Sequence, residues 1–440
     1  MATQEMWNRS VLASLKSAVA TLVVIFFFTV FNIDVPLAIV PLSIVAVFLL
    51  CCLLYYRELF YFFAKNPTVF IYPLIAVISA TWSIAPSKTV WYAFQLCITV
   101  GGAIFMGITA TPRQLVRGIF VAMAIVIIAS VISGRMGPSA VGPVLIGITG
   151  GKTAIGLVAV TLFGSGMAIL FDLQHPPIYR LATLALIPLG AYIATHVEAA
   201  TALVSVFAFP IAFFGFLSLR YVGPMGRSAV VALLLVLIPV SVLTYAGVPD
   251  VNQRILRALN KDATLTGRTM MWVKADAWIE KSPEIGYGFR AFWTSESADS
   301  MGILHSFKLT DGRVFQLHNT IEEMRVDTGW LGLLAFLSTV MVFLCYIVAF
   351  VFLYPSASSA FIATMYLIIL AHSPIQVLIG VFYPTTAFFY VCGTVAIVFF
   401  MNRQQTTRGQ ARTAPHGGGH FAWQGRIGRP ALAPNRSQSI

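Results

Sequence analysis

Long unbroken apolar runs constrain what this chain can fold into more than any other feature. Stretches such as 35–56 and 328–354 continue for about 20 residues or more, the length that crosses a bilayer as a helix. Lipid cannot satisfy backbone N–H and C=O groups, so a spanning segment is an α-helix or part of a closed barrel. The runs are continuous rather than alternating, which argues against a barrel. Composition agrees, with 58% hydrophobic and only 10% charged residues, against roughly 25% charged in soluble domains. Such a chain cannot cover its surface with polar groups. The expected fold is all-α, a polytopic membrane bundle of about 12 transmembrane helices with one large polar loop late in the chain.

Apolar segments place spans at roughly 18–33, 35–56, 67–82, 89–110, 118–134, 151–171, 181–195, 200–218, 228–247, 328–354, 359–378 and 381–401. Basic residues then set the orientation. Arg9 and Lys16 precede the first span; Arg57, Lys65, Arg113, Arg117, Arg180, Arg220 and Arg227 occupy alternate loops; arginines from Arg403 to Arg436 fill the tail. The intervening short loops hold only Lys88, Arg135 and Lys152. This alternation puts both termini in the cytoplasm and the 248–327 loop on the other face. The expected organisation is a membrane bundle over 1–247, the loop over 248–327, further membrane helices over 328–401, and a disordered basic tail over 402–440.

The net charge of +12 is thereby an orientation signal. The basic residues are scattered over loops rather than gathered on one face, so no nucleic-acid partner is expected. The tail has anionic lipid as its candidate partner, with a plain solvated tail as the blander reading. Cys51, Cys52, Cys97, Cys345 and Cys392 fall inside apolar runs, which points to free thiols. The polar first residues lack a cleavable signal pattern, so the first span is read as the targeting signal.

The large loop has balanced charge and its own helix signals. From Thr266 to Lys281, Met271, Ala275, Trp278 and Ile279 recur at helical spacing, and Pro283 follows. Gly286-Tyr287-Gly288 breaks the chain. A second helix is expected from Asn319, a good N-cap with Glu322 three residues on, leading through Gly329 and Gly332 into the tenth span.

Two loop positions bring chemistry to the membrane face. Arg268 stands at the start of the amphipathic helix. There free N–H groups, the positive dipole end and a planar guanidinium suit phosphate oxygens. The competing reading has Arg268 reaching to lipid headgroups or to a loop acid. His318, beside Asn319, titrates near neutral pH and can take a proton from a hydroxyl; the competing reading is a capping or interface histidine. Gly150-Gly151-Lys152-Thr153 is not a nucleotide loop, because Ile146 stands where the motif needs glycine. Lys152 remains a candidate for an anionic ligand. His196 and Glu198 lie at the junction of two spans, where ionisable groups are often functional. His305 and His318 lack paired metal-ligand spacing, so no metal site or other cofactor is expected.

The order of these segments resembles the O-antigen ligase and Wzy-type polymerase superfamily of bacterial envelope glycan assembly. Four stretches between about residues 79 and 335 carry the resemblance. Ser79-Ala80-Thr81-Trp82-Ser83-Ile84-Ala85-Pro86 is similar to a Trp-Ser…Pro loop after the third span. Gly151-Lys152-Thr153 falls where many members have His-Lys-Asn. Thr266-Gly267-Arg268 with Trp272, Pro283 and Gly286-Tyr287-Gly288-Phe289 is similar to the family's loop signature. His318-Asn319 with Gly329-Trp330-Leu331-Gly332 is similar to its closing motif.

The resemblance implies a bacterial inner-membrane enzyme whose loop is periplasmic. Its donor would be a glycan on undecaprenyl diphosphate, its acceptor another glycan or lipid-linked glycan, and its reaction a metal-independent inverting glycosyl transfer. Membrane lipids and other polysaccharide export proteins are the further partners implied. By the same resemblance, His318 activates the acceptor and Arg268 holds the diphosphate. Many members carry a second basic residue near the start of the eighth span. Here that stretch is Glu198-Ala199-Ala200-Thr201, and Lys152, Arg135 and Arg290 are the substitutes considered, with Asn319 a further substrate-binding candidate. The favoured activity is polymerisation of lipid-linked repeat units into exopolysaccharide or O-antigen. Ligation of finished polymer to lipid A-core is the alternative. A transporter or flippase of the same lipids would rather show internal repeats and broken mid-membrane helices. A non-catalytic scaffold is the remaining rival.

The topology has a direct check. Alkaline phosphatase fused near Ser297 should be active, and fused after Met401 inactive; the reverse pattern would overturn the orientation.

Overall fold

The computed structural model describes residues 18–34, 39–139, 142–229, 268–293, 301 and 316–413. The expected ninth span lies almost wholly outside these residues, as do the leading segment and the tail beyond Thr413. Its helices are α1 (Ala18–Val30), α2 (Ile39–Lys65), α3 (Ile71–Ile78), α4 (Pro86–Thr109), α5 (Pro112–Ser133) and α6 (Lys152–Leu170). They continue with α7 (Pro177–His196), α8 (Ala200–Ser218), α9 (Arg268–Ile279), α10 (Thr320–Leu353), α11 (Ala357–His372) and α12 (Pro384–Thr413). A two-stranded antiparallel ribbon, β1 (Met136–Gly137) with β2 (Val144–Leu145), lies in the α5–α6 connection.

The chain is a multi-pass α-helical membrane protein. Among the described residues, 8 helices are long and apolar enough to span, and three shorter apolar helices are Ala18–Val30, Pro67–Thr81 and Ala357–His372. Burial is uneven in the way lipid requires. The apolar window of α2 is only 11% buried, against 78% for α12, and Leu42, Leu49, Leu50, Leu53 and Leu54 of α2 point outward. Leucines exposed in such a row have hydrocarbon, not water, as their compatible solvent. α6 sits inside, packed against α5, α7 and α8, while α11 packs on α8.

Three boundaries differ from expectation. α2 breaks at Tyr55 (φ −129°, ψ 27°) and then continues to Lys65, so Arg57 and Lys65 lie on helix rather than in a loop. α11 stops at His372, and residues 373–383 form an irregular connection instead of completing a span. α12 runs to Thr413, past Asn402 where the sequence suggests a disordered tail. Extending an existing helix avoids the nucleation cost, and 402–413 contains no proline and one glycine. Near the start of α5, Arg113 Nε donates to Asp172 Oδ2, just past the end of α6, at 2.7 Å. Burial works to raise the Asp172 carboxyl, but the Arg113 hydrogen bond and charge outweigh it and hold the group below its usual range.

α10 joins the expected loop helix to the expected tenth span. Asn319 caps it as anticipated, its side chain accepting from the Ile321 and Glu322 N–H groups. Glu322 faces Arg325 (3.4 Å). The helix breaks at Gly329, whose φ of 62° and ψ of −160° fall in a region open essentially to glycine alone. A Cβ there would strike the Glu284 backbone. Gly329→Ala should therefore cost at least about 1–3 kcal/mol, read as a lower thermal midpoint in detergent. Gly215→Ala, with open space around it in the last turn of α8, should be neutral or slightly stabilising.

Candidate functional site

The segment after α9 gathers the scattered motifs into one assembly. α9 forms because one face carries Met271, Ala275, Trp278 and Ile279, all buried as the spacing suggests, and these pack with Phe292, Trp293, Leu317 and Val326. Trp278 lies 4.4 Å from Phe292, centroid to centroid. Turns follow at Gly286 (φ 63°) and Gly288 (φ 100°). At Gly288 a side chain would collide with Ser83, so glycine is what allows the close approach.

This turn bonds to two distant parts of the chain. On one side, the Tyr287 and Gly288 N–H groups donate to the Val326 and Asp327 carbonyls (2.9 and 2.8 Å), while Trp330 and Leu331 donate back to Pro283 and Glu284 (2.8 and 3.0 Å). On the other side, Trp82 Nε1 donates to the Ile285 carbonyl (2.9 Å). The Phe289 N–H donates to Ser79 Oγ (3.0 Å), and Thr89 Oγ1 donates to the Phe289 carbonyl (3.1 Å). Three of the four stretches singled out in the sequence thus form a single bonded unit.

Within it lies a buried ionic cluster whose two acids, Glu323 and Asp327, sequence reasoning missed, though it singles out Arg290 as a ligand-binding candidate. Arg290 is 8% exposed, Glu323 3% and Asp327 2%. Arg290 Nη1 donates to Glu323 Oε1 at 3.2 Å, and the Asp327 carboxylate lies near both groups. Glu323 Oε2 accepts the Leu317 N–H at 2.6 Å. The available signal was the spacing of Thr320, Glu323, Asp327 and Thr328, a polar stripe on one face at the head of an apolar helix.

His318 follows Leu317 directly. It is half-buried and adopts a φ of 54°, unusual for a residue other than glycine. Its neighbours are held from both sides. The Leu317 carbonyl accepts from Trp272 Nε1 (2.9 Å), the Thr320 N–H donates to Ser373 O (2.8 Å), and Thr320 Oγ1 donates to Gln376 O (2.8 Å). A small cavity beside these residues is lined by Ile369, His372, Ser373, Gln376, Leu378 and Thr385. His372, also absent from the sequence reading, places Nε2 2.9 Å from Ser205 Oγ on α8.

The other candidates are placed as follows. Arg268 is the first residue of α9; its side chain lies outside the described set. Lys152 opens α6 and reaches Ser139 Oγ at 3.4 Å. Ser139 in turn donates to Glu198 Oε2. These three make a second constellation at the α7–α8 junction. Arg135 is exposed, and its carbonyl accepts from Ile146 and Gly147. Arg290 does not stand open to a ligand, because its charge is matched inside the protein by Glu323. The Asn319 side-chain oxygen is engaged in capping α10. His196 is exposed and stacks on Tyr192 (4.1 Å). Among the described residues, no three His, Cys, Asp or Glu side chains gather as a metal site.

Removing the cation of the buried cluster should be costly. Arg290→Ala leaves Glu323 and Asp327 without it, an effect of roughly 3–5 kcal/mol. Arg290→Met with Glu323→Gln should recover much of that, measured by thermal unfolding in detergent.

Comparison with known proteins adds two matches. Residues 181–337 match the family model described as O-Antigen ligase, a stretch that includes Arg268, Gly286–Arg290 and His318–Gly332. The chain is also 27% identical over 283 residues to the "Exopolysaccharide production protein ExoQ" of Rhizobium meliloti (strain 1021). That alignment covers 63% of this chain and 64% of the relative, less than two thirds of either. Both matches support the O-antigen ligase and Wzy-type superfamily.

Proposed function

We propose that this chain, with its O-antigen ligase region, is an inverting glycosyltransferase of the bacterial inner membrane. It joins undecaprenyl-diphosphate-linked repeat units into exopolysaccharide or O-antigen at the periplasmic face, with both termini cytoplasmic. The observation that carries the reading is His318, held in a strained conformation where the loop signature, the closing motif and the 373–378 connection meet. Residues kept in sparsely populated backbone regions cluster at active sites.

The roles follow from the chemistry. The acceptor hydroxyl attacks the anomeric carbon and passes its proton to His318. The bond from that carbon to the diphosphate oxygen breaks with inversion, and undecaprenyl diphosphate leaves. Negative charge grows on the leaving group, and the guanidinium of Arg268 at the α9 N-terminus offsets it. Lys152 supplies the second positive charge. It reaches through Ser139 to Glu198, the junction where the sequence lacks the family's second basic residue. Production of polymer is favoured by the similarity to an exopolysaccharide production protein. Ligation to lipid A-core is the second reading, favoured by the description of the family model.

His318→Ala should remove most turnover at normal protein level, since general-base help is worth about 10²–10⁴ in rate. His318→Gln should be similarly poor, because an amide cannot take up the proton. Arg268→Lys should stay impaired, lacking the bidentate fork. Assays with purified protein and lipid-linked donor should show the wild-type rate falling as pH drops through the histidine's apparent pKa, with that step missing from the residual activity of the variants. A His318→Gln enzyme as fast as wild type would return His318 to a capping role. In a deletion strain, loss of secreted polymer with normal lipopolysaccharide supports the polymerase; full-length O-antigen left on its carrier supports the ligase.

A further inference from the structure

The peptide ahead of His318 is tied at both of its polar atoms. The Leu317 N–H meets Glu323 Oε2 at 2.6 Å, and the Leu317 carbonyl meets Trp272 Nε1 at 2.9 Å. After His318, Asn319 caps α10 and Thr320 bonds to Ser373. The backbone of His318 therefore has little room to relax from its φ of 54°. Of these ties, the one to Glu323 is short and accepted by a carboxylate, the stronger kind of hydrogen bond. Glu323 is itself oriented by Arg290, whose Nη1 lies 3.2 Å from Oε1, and both side chains are buried. Asp327, one helical turn beyond Glu323, places a second carboxylate near Arg290.

We infer that Glu323 is a positioning residue for His318. Its carboxylate fixes the Leu317 peptide and so aims the imidazole, and Arg290 keeps that carboxylate in place. The inference rests on the reading of His318 as the base. It assigns the ionic cluster to geometry rather than to substrate binding, because the guanidinium is turned inward. A displacement of about 1 Å in a reacting group can cost on the order of 10²-fold in rate, which sets the expected scale.

Two double variants isolate the hydrogen bond. Arg290→Met with Glu323→Gln keeps an acceptor oxygen for Leu317, with no guanidinium competing for it. Arg290→Met with Glu323→Leu removes that acceptor, and both lack the same buried cation. Per folded molecule, with lipid-linked donor, the Leu variant should have kcat lower than the Gln variant by about 10²-fold, with KM for the donor unchanged. Equal kcat in the two would overturn the inference. A second measurement needs no variant. Amide hydrogen exchange at Leu317 in the unmutated protein should be slow, and fast exchange there would also overturn it. His318→Ala is assayed alongside. If it is inactive while the two doubles agree, only the role of Glu323 falls. If it turns over like wild type, the proposed base falls and this inference with it.

Discussion

A helix broken near a membrane must have its freed backbone groups satisfied by protein, because lipid offers no partner. α10 meets that requirement at Gly329 by exchanging hydrogen bonds with the 283–288 turn, with Val326 and Asp327 accepting and Trp330 and Leu331 donating. The rest of the site depends on this exchange. It ties the loop to the bundle and sets Arg290 over Glu323. It also carries Ile285 and Phe289 to the link between α3 and α4. The glycines at 286, 288 and 329 are the chemical condition for it, since each has positive φ and each would meet neighbouring atoms if a Cβ were added.

Much of this was legible in the sequence, for identifiable reasons. The α9 face was readable because Met271, Ala275, Trp278 and Ile279 follow helical spacing, and the structure buries all four. Asn319 was readable because capping is a local interaction between a side chain and the next turn. The order of the apolar runs anticipated the bundle. What escaped is what depends on distant partners. Glu323 and Asp327 look like ordinary loop acids until Arg290, some thirty residues earlier, is folded over them. The union of Ser79 and Trp82 with residues 285–289 joins positions 203 and 210 apart in the chain, beyond any local pattern. The break at Tyr55 in α2 has no proline or glycine beside it, so the sequence carries no ordinary kink signal.

Four residues other than glycine have positive φ among those described: Glu198, Arg290, His318 and Phe382. Each lies in a connection rather than within a helix. Backbone strain of this kind costs about 1–3 kcal/mol per residue and persists where surrounding bonds over-determine it. Those bonds are visible at each. Glu198 is held by Ser139, Arg290 by Glu323, and the Phe382 N–H by Thr99 Oγ1 at 2.9 Å. His318 is flanked by the ties on Leu317 and Thr320. At these four positions the strain sits in the links between helices.

The pairing of the α3–α4 link with the loop turn also sets a schedule for biogenesis. Ser79 and Trp82 leave the ribosome roughly 200 residues before Phe289 and Ile285. At about 5–20 residues per second, that is a wait of on the order of 10–40 seconds. During it the N-terminal helices are in the bilayer with the Ser79 and Trp82 hydrogen-bonding groups lacking their final partners. The early half of the molecule thus enters the membrane as an open socket, completed only when the late half arrives. A chain that stalls or is truncated between them keeps that socket exposed.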